Sequence, residues 1–197
     1  DHTGTVATGD QVIAVFARHL KKQNQLRGEK VVTTIMSNMG LAVSLKEAGI
    51  HHSASKVGDR YVMEKKISEG AVLGGENSGH IIFLNHHTTG DGMLAALKLI
   101  EAIVFSEKPL SELVKVMDIF PQELINVEVK RKPAIETVPS IMEVINEAED
   151  VLGEKGRVLV RYSGTQSICR VMVEGPTEEE TKRLCKMIAG AVEQHLG

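Results

Sequence analysis

The chain has 197 residues, of which 42% are hydrophobic and 25% are charged. This composition is typical of a globular protein, and the length allows one large domain or two small ones. The formal net charge of -3 disfavours a nucleic-acid-binding protein, because no basic surplus exists to neutralise phosphates in number. No apolar run approaches the roughly 20 residues that a membrane span needs, so we expect no membrane partner.

Cysteine usage and the first residues bear on the compartment. Cys169 and Cys185 are too few for a disulfide framework and lack the spacing of metal ligands. Residues 1–5 have neither the basic start nor the apolar core of a signal peptide. We therefore expect a reducing, cytoplasmic location. Because the sequence has no initiator Met, we also expect a fragment of a longer protein.

Helical and strand patterns alternate along residues 10–107. Asp10 is expected to N-cap the first helix, and Gly49 is expected to end the second. The predicted elements, in chain order, are helix 10–20, strand 30–35, helix 39–48, strand 52–56, helix 59–68, strand 81–84 and helix 92–105, with residues 71–73 leading into the first glycine-rich loop. This alternation predicts an α/β domain with a mixed, largely parallel sheet.

The pattern changes at residues 108–121, which we interpret as a linker with a short helix after Pro109. The predicted elements beyond it are strand 124–129, helix 140–148, strands 157–160 and 168–173, and a last helix that Thr177 and Glu180 open as a capping box. For residues 122–197 this order predicts a smaller α+β domain with an antiparallel sheet and two helices.

A first polar loop lies between glycines at residues 74–80. Glu76, Asn77 and Ser78 supply a carboxylate, an amide and a hydroxyl, a set that can take hydrogen bonds from vicinal sugar hydroxyls. His80 closes the loop and could donate or accept a proton near neutral pH. The alternative is a tight strand-to-strand turn with an exposed polar crown, and the spacing alone favours neither.

A second loop combines hydroxyls with two arginines. Ser163, Gly164 and Thr165 can converge as an anion nest, and Arg161 and Arg170 lie at the facing ends of the two predicted strands. Two guanidinium groups that meet across a short loop match a phosphate. The alternative is an ordinary hairpin with solvated arginines; we favour the phosphate site.

Other polar residues receive simpler interpretations. Asp59 and Asp91 precede helical patterns and are predicted to be N-caps, whereas Arg60 could reach toward an anion. The pairs His51-His52 and His86-His87 do not chelate naturally, because adjacent residues of an extended segment point to opposite faces. We therefore predict no metal site in this chain.

Four segments together carry a resemblance that covers essentially the whole chain. They are residues 57–62, 74–81 with the sequence Gly-Gly-Glu-Asn-Ser-Gly-His-Ile, 88–92, and 161–172. In this order and at these distances they resemble the α-D-phosphohexomutase superfamily, and within it the phosphoglucosamine mutases. Members of that family have four domains around one cleft, with a phosphoserine in the first domain and Mg2+ on the second.

The resemblance implies that this chain is domains three and four, with residues 1–9 as the tail of the metal-binding domain. Neither the phosphoserine motif nor the metal motif of the family is present in the sequence. Sugar hydroxyls would bind Glu76 and Ser78, with His80 beside them as an acid/base group. The phosphate that is not transferred would be held by Arg161, Ser163, Gly164, Thr165 and Arg170.

The implied reaction converts glucosamine 6-phosphate into glucosamine 1-phosphate through a bisphosphate, in amino-sugar synthesis for cell-wall precursors. The alternatives are a phosphomannomutase or phosphoglucomutase, or a non-catalytic sugar-phosphate-binding module. The implied cofactors are Mg2+, bound by the preceding domain, and the hexose bisphosphate. The implied partners are a sugar phosphate and the missing N-terminal domains, and a homodimer of the full-length enzyme is left open. We expect the fragment alone to be inactive.

The second loop departs from the family pattern at three positions. Tyr162 stands where the family has proline, Gln166 replaces a glutamate and Ser167 replaces another proline. Losing two prolines should loosen the free loop and raise the cost of ordering it on binding. Because the expected contact residues are unchanged, we expect phosphate binding to persist.

Overall fold

The computed structural model describes residues 1–197 and divides them into two units, Asp1–Ile119 and Phe120–Gly197. Helices of the first unit are α1 (Gly9–Lys22), α2 (Met39–Glu47), α3 (Asp59–Glu69), α4 (Gly92–Ser106) and α5 (Leu110–Leu113). Its strands are β1 (Lys30–Thr34), β2 (His51–Ser55), β3 (Leu73–Gly75) and β4 (Ile81–Phe83).

The sheet of the first unit has the strand order β2-β1-β3-β4. Strand β1 runs parallel to β2 and to β3, and β4 is antiparallel to β3. The predicted mixed, largely parallel sheet is confirmed. Its core contains the fully buried Val31, Leu41 and Leu73. The rings of Phe16 and Phe83 meet edge to face at 4.9 Å, an arrangement that adds to the burial of both.

Two of the predicted helix caps are wrong. Thr8, not Asp10, caps α1, in a reciprocal capping box with Gln11. Asp10 is buried in the first turn, where its carboxylate accepts a hydrogen bond from the amide of Asn38 at 2.7 Å. Likewise Gly58, with a φ of 123°, precedes α3, and Asp59 is its first residue. Both aspartates lie in the first turn of a helix, but the local sequence pattern does not determine which residue is the N-cap.

The third predicted cap, Asp91, is correct. Its carboxylate accepts hydrogen bonds from the amides of Met93 and Leu94 and so starts α4. Residues 108–121, interpreted as a linker, pack largely with the first unit. Met117 is buried in its core, and Ser44 donates a hydrogen bond to the carbonyl of Val116.

The second unit is a small α+β structure, as predicted. Its elements are β5 (Gln122–Glu128), α6 (Pro139–Leu152), β6 (Arg157–Tyr162), β7 (Ile168–Glu174) and α7 (Glu178–Leu196). The strand order is β5-β7-β6, with both pairs antiparallel. Residues of α6, α7 and the sheet share one core, including Ile141, Val171 and Leu184. Thr177 caps α7 by accepting the amide of Glu180, although the expected return bond from the Glu180 side chain is absent.

Candidate functional site

Residues 76–80 of the first loop form the hairpin connection between β3 and β4. The amide of Glu76 donates to the carbonyl of His80, and the amide of Gly79 donates to the carbonyl of Glu76, each at 3.0 Å. Gly79 has a φ of 91°, a conformation that glycine adopts without steric cost. Asn77, Ser78 and Gly79 are exposed at the tip. The loop is therefore a tight turn with a polar crown, and its side chains decide whether it can also bind a ligand.

Glu76 ties the hairpin to the start of α3. One of its carboxylate oxygens accepts a hydrogen bond from the amide of Gly58 at 3.0 Å. A carboxylate at a helix N-terminus satisfies an otherwise unpaired amide and interacts favourably with the helix dipole. The other carboxylate oxygen has no partner within the chain, so it can accept a hydrogen bond from a ligand hydroxyl.

Asn77 ties the same hairpin to the start of α1. Its backbone carbonyl accepts the amide of Gly9 at 3.2 Å, and its side-chain oxygen accepts the amide of Asp10 at 3.3 Å. A Cβ atom at Gly9 would lie 2.5 Å from the carbonyl oxygen of Asn77 and 2.6 Å from that of Glu76. Gly9 thus permits the close backbone approach that seats the hairpin on α1.

His80 lies where three of the sequence motifs meet. Its Nε2 atom is 3.8 Å from a carboxylate oxygen of Asp59 at the start of α3, beyond hydrogen-bond distance. Its ring also packs on Gly90, because a Cβ there would lie 2.5 Å from the His80 Cε1 atom. Arg60 does not join this group within the chain: it pairs with Glu64 at 2.8 Å and is largely exposed.

The second loop, residues 163–167, connects β6 and β7. Arg161 and Arg170 are direct cross-strand partners at its base, and neither has an ion pair within the chain. Burial and the charge of Arg170 both lower the pKa of Arg161. The Nε atom of Arg170 is buried without a hydrogen-bond partner. Two cations held together without a counter-charge form a site suited to an anion.

Hydrogen bonds of Ser163 and Lys132 shape this second loop. The buried hydroxyl of Ser163 accepts weak hydrogen bonds from the amides of Thr165 and Gln166, at 3.4 and 3.3 Å. Lys132 donates to the carbonyls of Ser163 and Gln166, at 3.0 and 2.7 Å. Gly164 and Thr165 are exposed at the tip. The backbone amides of Thr165 and Gln166 therefore point at the Ser163 hydroxyl in the free loop.

Sequence reasoning missed Gly9 and Lys132. A glycine directly after the capping Thr8 could have indicated close backbone approach, but its partner lies 68 positions further along the chain. Lys132 had no motif around it, and only the turn of the chain after β5 brings it to the second loop.

The chain matches two models of one protein family. The model described as phosphoglucomutase/phosphomannomutase, alpha/beta/alpha domain III, matches residues 8–120. The model described as the C-terminal domain of the same family matches residues 124–191. The chain belongs to the phosphoglucomutase/phosphomannomutase family. The resemblance inferred from the four sequence motifs is thereby confirmed.

Relatives of this family member are longer proteins. The chain is 55% identical over 197 residues to the phosphoglucosamine mutase of Syntrophus aciditrophicus. The alignment covers 100% of this chain and 44% of that protein. It is 18% identical, with a TM-score of 0.75, to Aspergillus fumigatus N-acetylphosphoglucosamine mutase in complex with GlcNAc-6P and magnesium, covering 94% of this chain and 46% of the other. For the same enzyme with glucose 1,6-bisphosphate the values are 19% and 0.77, with 95% and 43% covered. These two likenesses show the fold.

Metal-binding residues are not grouped in this family member. No three His, Cys, Asp or Glu side chains are placed to hold an ion, so the residues present do not fit a magnesium site. His52 instead shares a hydrogen bond with Thr33 at 2.7 Å, and His51, His86 and His87 are exposed. None of the helices is both long and apolar enough to cross a bilayer.

Proposed function

We propose that this chain is the sugar- and phosphate-binding part of a phosphoglucosamine mutase, which interconverts glucosamine 6-phosphate and glucosamine 1-phosphate through a bisphosphate. The observation that carries the proposal is the pair of loops. One has a glutamate fixed by one oxygen with the other left available, and the second has two arginines without a counter-charge. The 55% identity to a protein of that name supports the choice of an amino sugar.

Each loop has a separate task in this proposal. The free oxygen of Glu76 and the hydroxyl of Ser78 bind sugar hydroxyls, while His80 moves a proton at the reacting oxygen. This assigns sugar binding to residues 10–107, and the preceding residues 1–9 to the tail of the metal-binding domain.

The second loop would hold the phosphate that is not transferred. Arg161 and Arg170 supply the charge, and the other contacts come from Ser163, Gly164 and Thr165. Residues 122–197 form this part. Phosphoryl transfer depends mainly on positioning and charge, so an anchoring site for either end of a bisphosphate serves both half-reactions.

The remaining parts of the enzyme are assigned outside this chain. The phosphoserine and the Mg2+ site belong to the longer protein, and we propose that it works in the cytoplasm. Because turnover needs that serine, the 197-residue chain should bind the sugar phosphate without converting it.

A chimera tests the proposed activity. The 197 residues replace the matched part of the Syntrophus aciditrophicus protein, and turnover is compared with glucosamine, glucose and mannose 6-phosphates. We expect turnover that is fastest with glucosamine 6-phosphate and absent for the isolated chain. Preference for mannose or glucose phosphate would favour the phosphomannomutase or phosphoglucomutase alternative. A folded chimera without any turnover would favour the non-catalytic module.

A further inference from the structure

Helix α4 carries an exposed apolar face. Met93, Leu97, Ile100 and Val104 are 80%, 66%, 56% and 70% exposed. At about 100° of rotation per residue these four side chains lie within a sector of about 60°. Ala102, on the opposite side, is the one buried residue of the helix. Leu94, Ala95 and Leu99 are partly buried against the core of the first unit. Helix α4 thus carries apolar side chains on its outward side as well as on its inward side, a pattern typical of a helix that is covered on both sides.

The α4 face, defined as these four residues, carries no charge of its own. The two charged residues of the helix, Lys98 and Glu101, pair with each other at 2.8 Å, and Glu101 also lies 3.4 Å from His19. Continuous exposed apolar surface of this kind marks an interaction site, because leaving it in water is costly.

A groove beside the α4 face widens this surface. It has a volume of about 470 Å3 and is lined by Val6, Gly92, Ala95, Ala96 and Leu99, together with the tip of the first loop. Small residues along a helix allow another backbone to approach closely. The groove therefore leaves room for a protein segment to pack against the helix.

The first residues of the chain run along the same surface. Val6 is 86% exposed at the edge of the groove. His2 lies 3.5 Å from the hydroxyl of Ser111 in α5, which follows α4. Polypeptide joined before these residues would therefore arrive at the α4 face. The curated relatives possess such polypeptide, since this chain covers 44% of the first of them and matches the third and C-terminal domains.

We propose that the α4 face and its groove dock the polypeptide that precedes the matched residues in the longer relatives. The inference rests on the proposed function insofar as both require that longer protein, and it names the surface on the first unit that joins the two parts. The docked partner presents an uncharged apolar surface, complementary to the α4 face, rather than a charged one.

Thiol labelling tests this docking without relying on activity. Leu97→Cys is introduced into the isolated chain and into the chimera with the Syntrophus aciditrophicus protein, and the rate of maleimide labelling is measured. The native Cys169 and Cys185 are completely buried, so they add little background. Ile67→Cys is the matched control, because Ile67 is 63% exposed on α3. The buried Val62 of α3 belongs to a different core cluster from the one that α4 contacts.

We expect Leu97→Cys to react about tenfold or more slowly in the chimera than in the isolated chain, because a docked thiol reacts only when the interface opens. The Ile67→Cys rate should be the same in both. Equal rates for Leu97→Cys would overturn the docking proposal. So would protection in the isolated chain that grows with its concentration, which would indicate a second copy, or protection by phosphatidylglycerol vesicles without protection in the chimera. Protection in a chimera that turns over no sugar phosphate would contradict the proposed function alone.

Discussion

Arg161 and Arg170 face each other directly across β6 and β7, and no carboxylate of the chain pairs with either guanidinium. Like charges at such cross-strand positions are destabilising. The neighbouring charge and burial both lower the pKa of Arg161. This charge repulsion is relieved when an anion binds between the two guanidinium groups. The arrangement therefore strengthens anion binding at the expense of the free energy of unfolding.

The first prediction concerns these two arginines. Arg170→Ala should weaken binding of glucosamine 6-phosphate by about ten- to a hundredfold, the usual cost of losing a charge-assisted contact. Calorimetric titration of the 197-residue chain measures it. Arg183→Ala is the control, because Arg183 is an exposed residue of α7 and its substitution removes the same charge at a different place. Equal losses from both variants would reduce the effect to net charge.

The second prediction separates two roles of Glu76. Glu76→Gln keeps an oxygen that can accept the amide of Gly58, so the free energy of unfolding should change little, while binding of the sugar phosphate weakens. Glu76→Ala removes this cap and should also destabilise the first unit by about 1 kcal/mol. Urea unfolding and calorimetric titration of both variants provide the comparison. If Glu76→Gln binds normally, the carboxylate does not contact the sugar.

The third prediction concerns the seat of the first loop on α1. Gly9→Ala would place a methyl group 2.5 Å from the carbonyl of Asn77, so the hairpin must move. We expect destabilisation of about 1–3 kcal/mol, as for other overpacked sites, and weaker sugar binding. Gly92→Ala is the control, since a Cβ there meets no atom within 4 Å. Normal binding by Gly9→Ala would show that the loop tolerates displacement.

The fourth prediction concerns Lys66, which is fully buried in α3 and donates to the carbonyl of Ile82 at 2.6 Å. Burial lowers its pKa from 10.5 to about 7. Above pH 7 the folded state has therefore lost a proton that the unfolded state still binds until about pH 10.5. The free energy of unfolding should rise with pH across this window, and below it the cost of burying the charge is paid in full.

Lys66→Met should remove this pH dependence. The difference in the free energy of unfolding, variant minus parent chain, should be more favourable to the variant at about pH 6 than at about pH 8.5. The variant lacks the hydrogen bond to Ile82 at both pH values. Urea unfolding followed through the amide resonances of β1 and β3 reports on the first unit. A stability difference that is independent of pH would show that Lys66 is charged in the folded state throughout.

The fifth prediction concerns Lys132 and the second loop. Lys132→Met removes two hydrogen bonds to the carbonyls of Ser163 and Gln166 and should increase backbone motion at residues 163–167. Phosphate affinity should fall by about three- to tenfold, because the loop must then be ordered on binding. Amide relaxation and titration with inorganic phosphate measure the two effects. Unchanged loop motion in Lys132→Met would show that these two hydrogen bonds do not order the loop.

The sequence predicted element types well because most depend on local patterns. Apolar spacing located the long helices, and the β-branched residues of β1 located a central strand. The roles of the polar residues at helix starts were harder, as Asp10 shows: a buried carboxylate in the first turn looks like a cap, but its partner is Asn38 in another segment.

The candidate site was predictable in composition but not in its supports. Glu76, His80 and the two arginines stand in recognisable motifs, and their roles remain predictions. Their anchors, Gly58, Gly9 and Lys132, come from distant parts of the chain and are found only once the backbone is folded. The assignment of residues 108–121 as a linker likewise could not show that Met117 reaches the core of the first unit.

The most direct test of the proposed function is a titration of the 197-residue chain with glucosamine 6-phosphate, followed by amide chemical shifts. Specific, saturable shifts should occur at Glu76 and Ser78 in the first loop and at Arg161 at the base of the second, with inorganic phosphate shifting Arg161 alone. Shifts at neither loop, with the chain folded, would contradict the account.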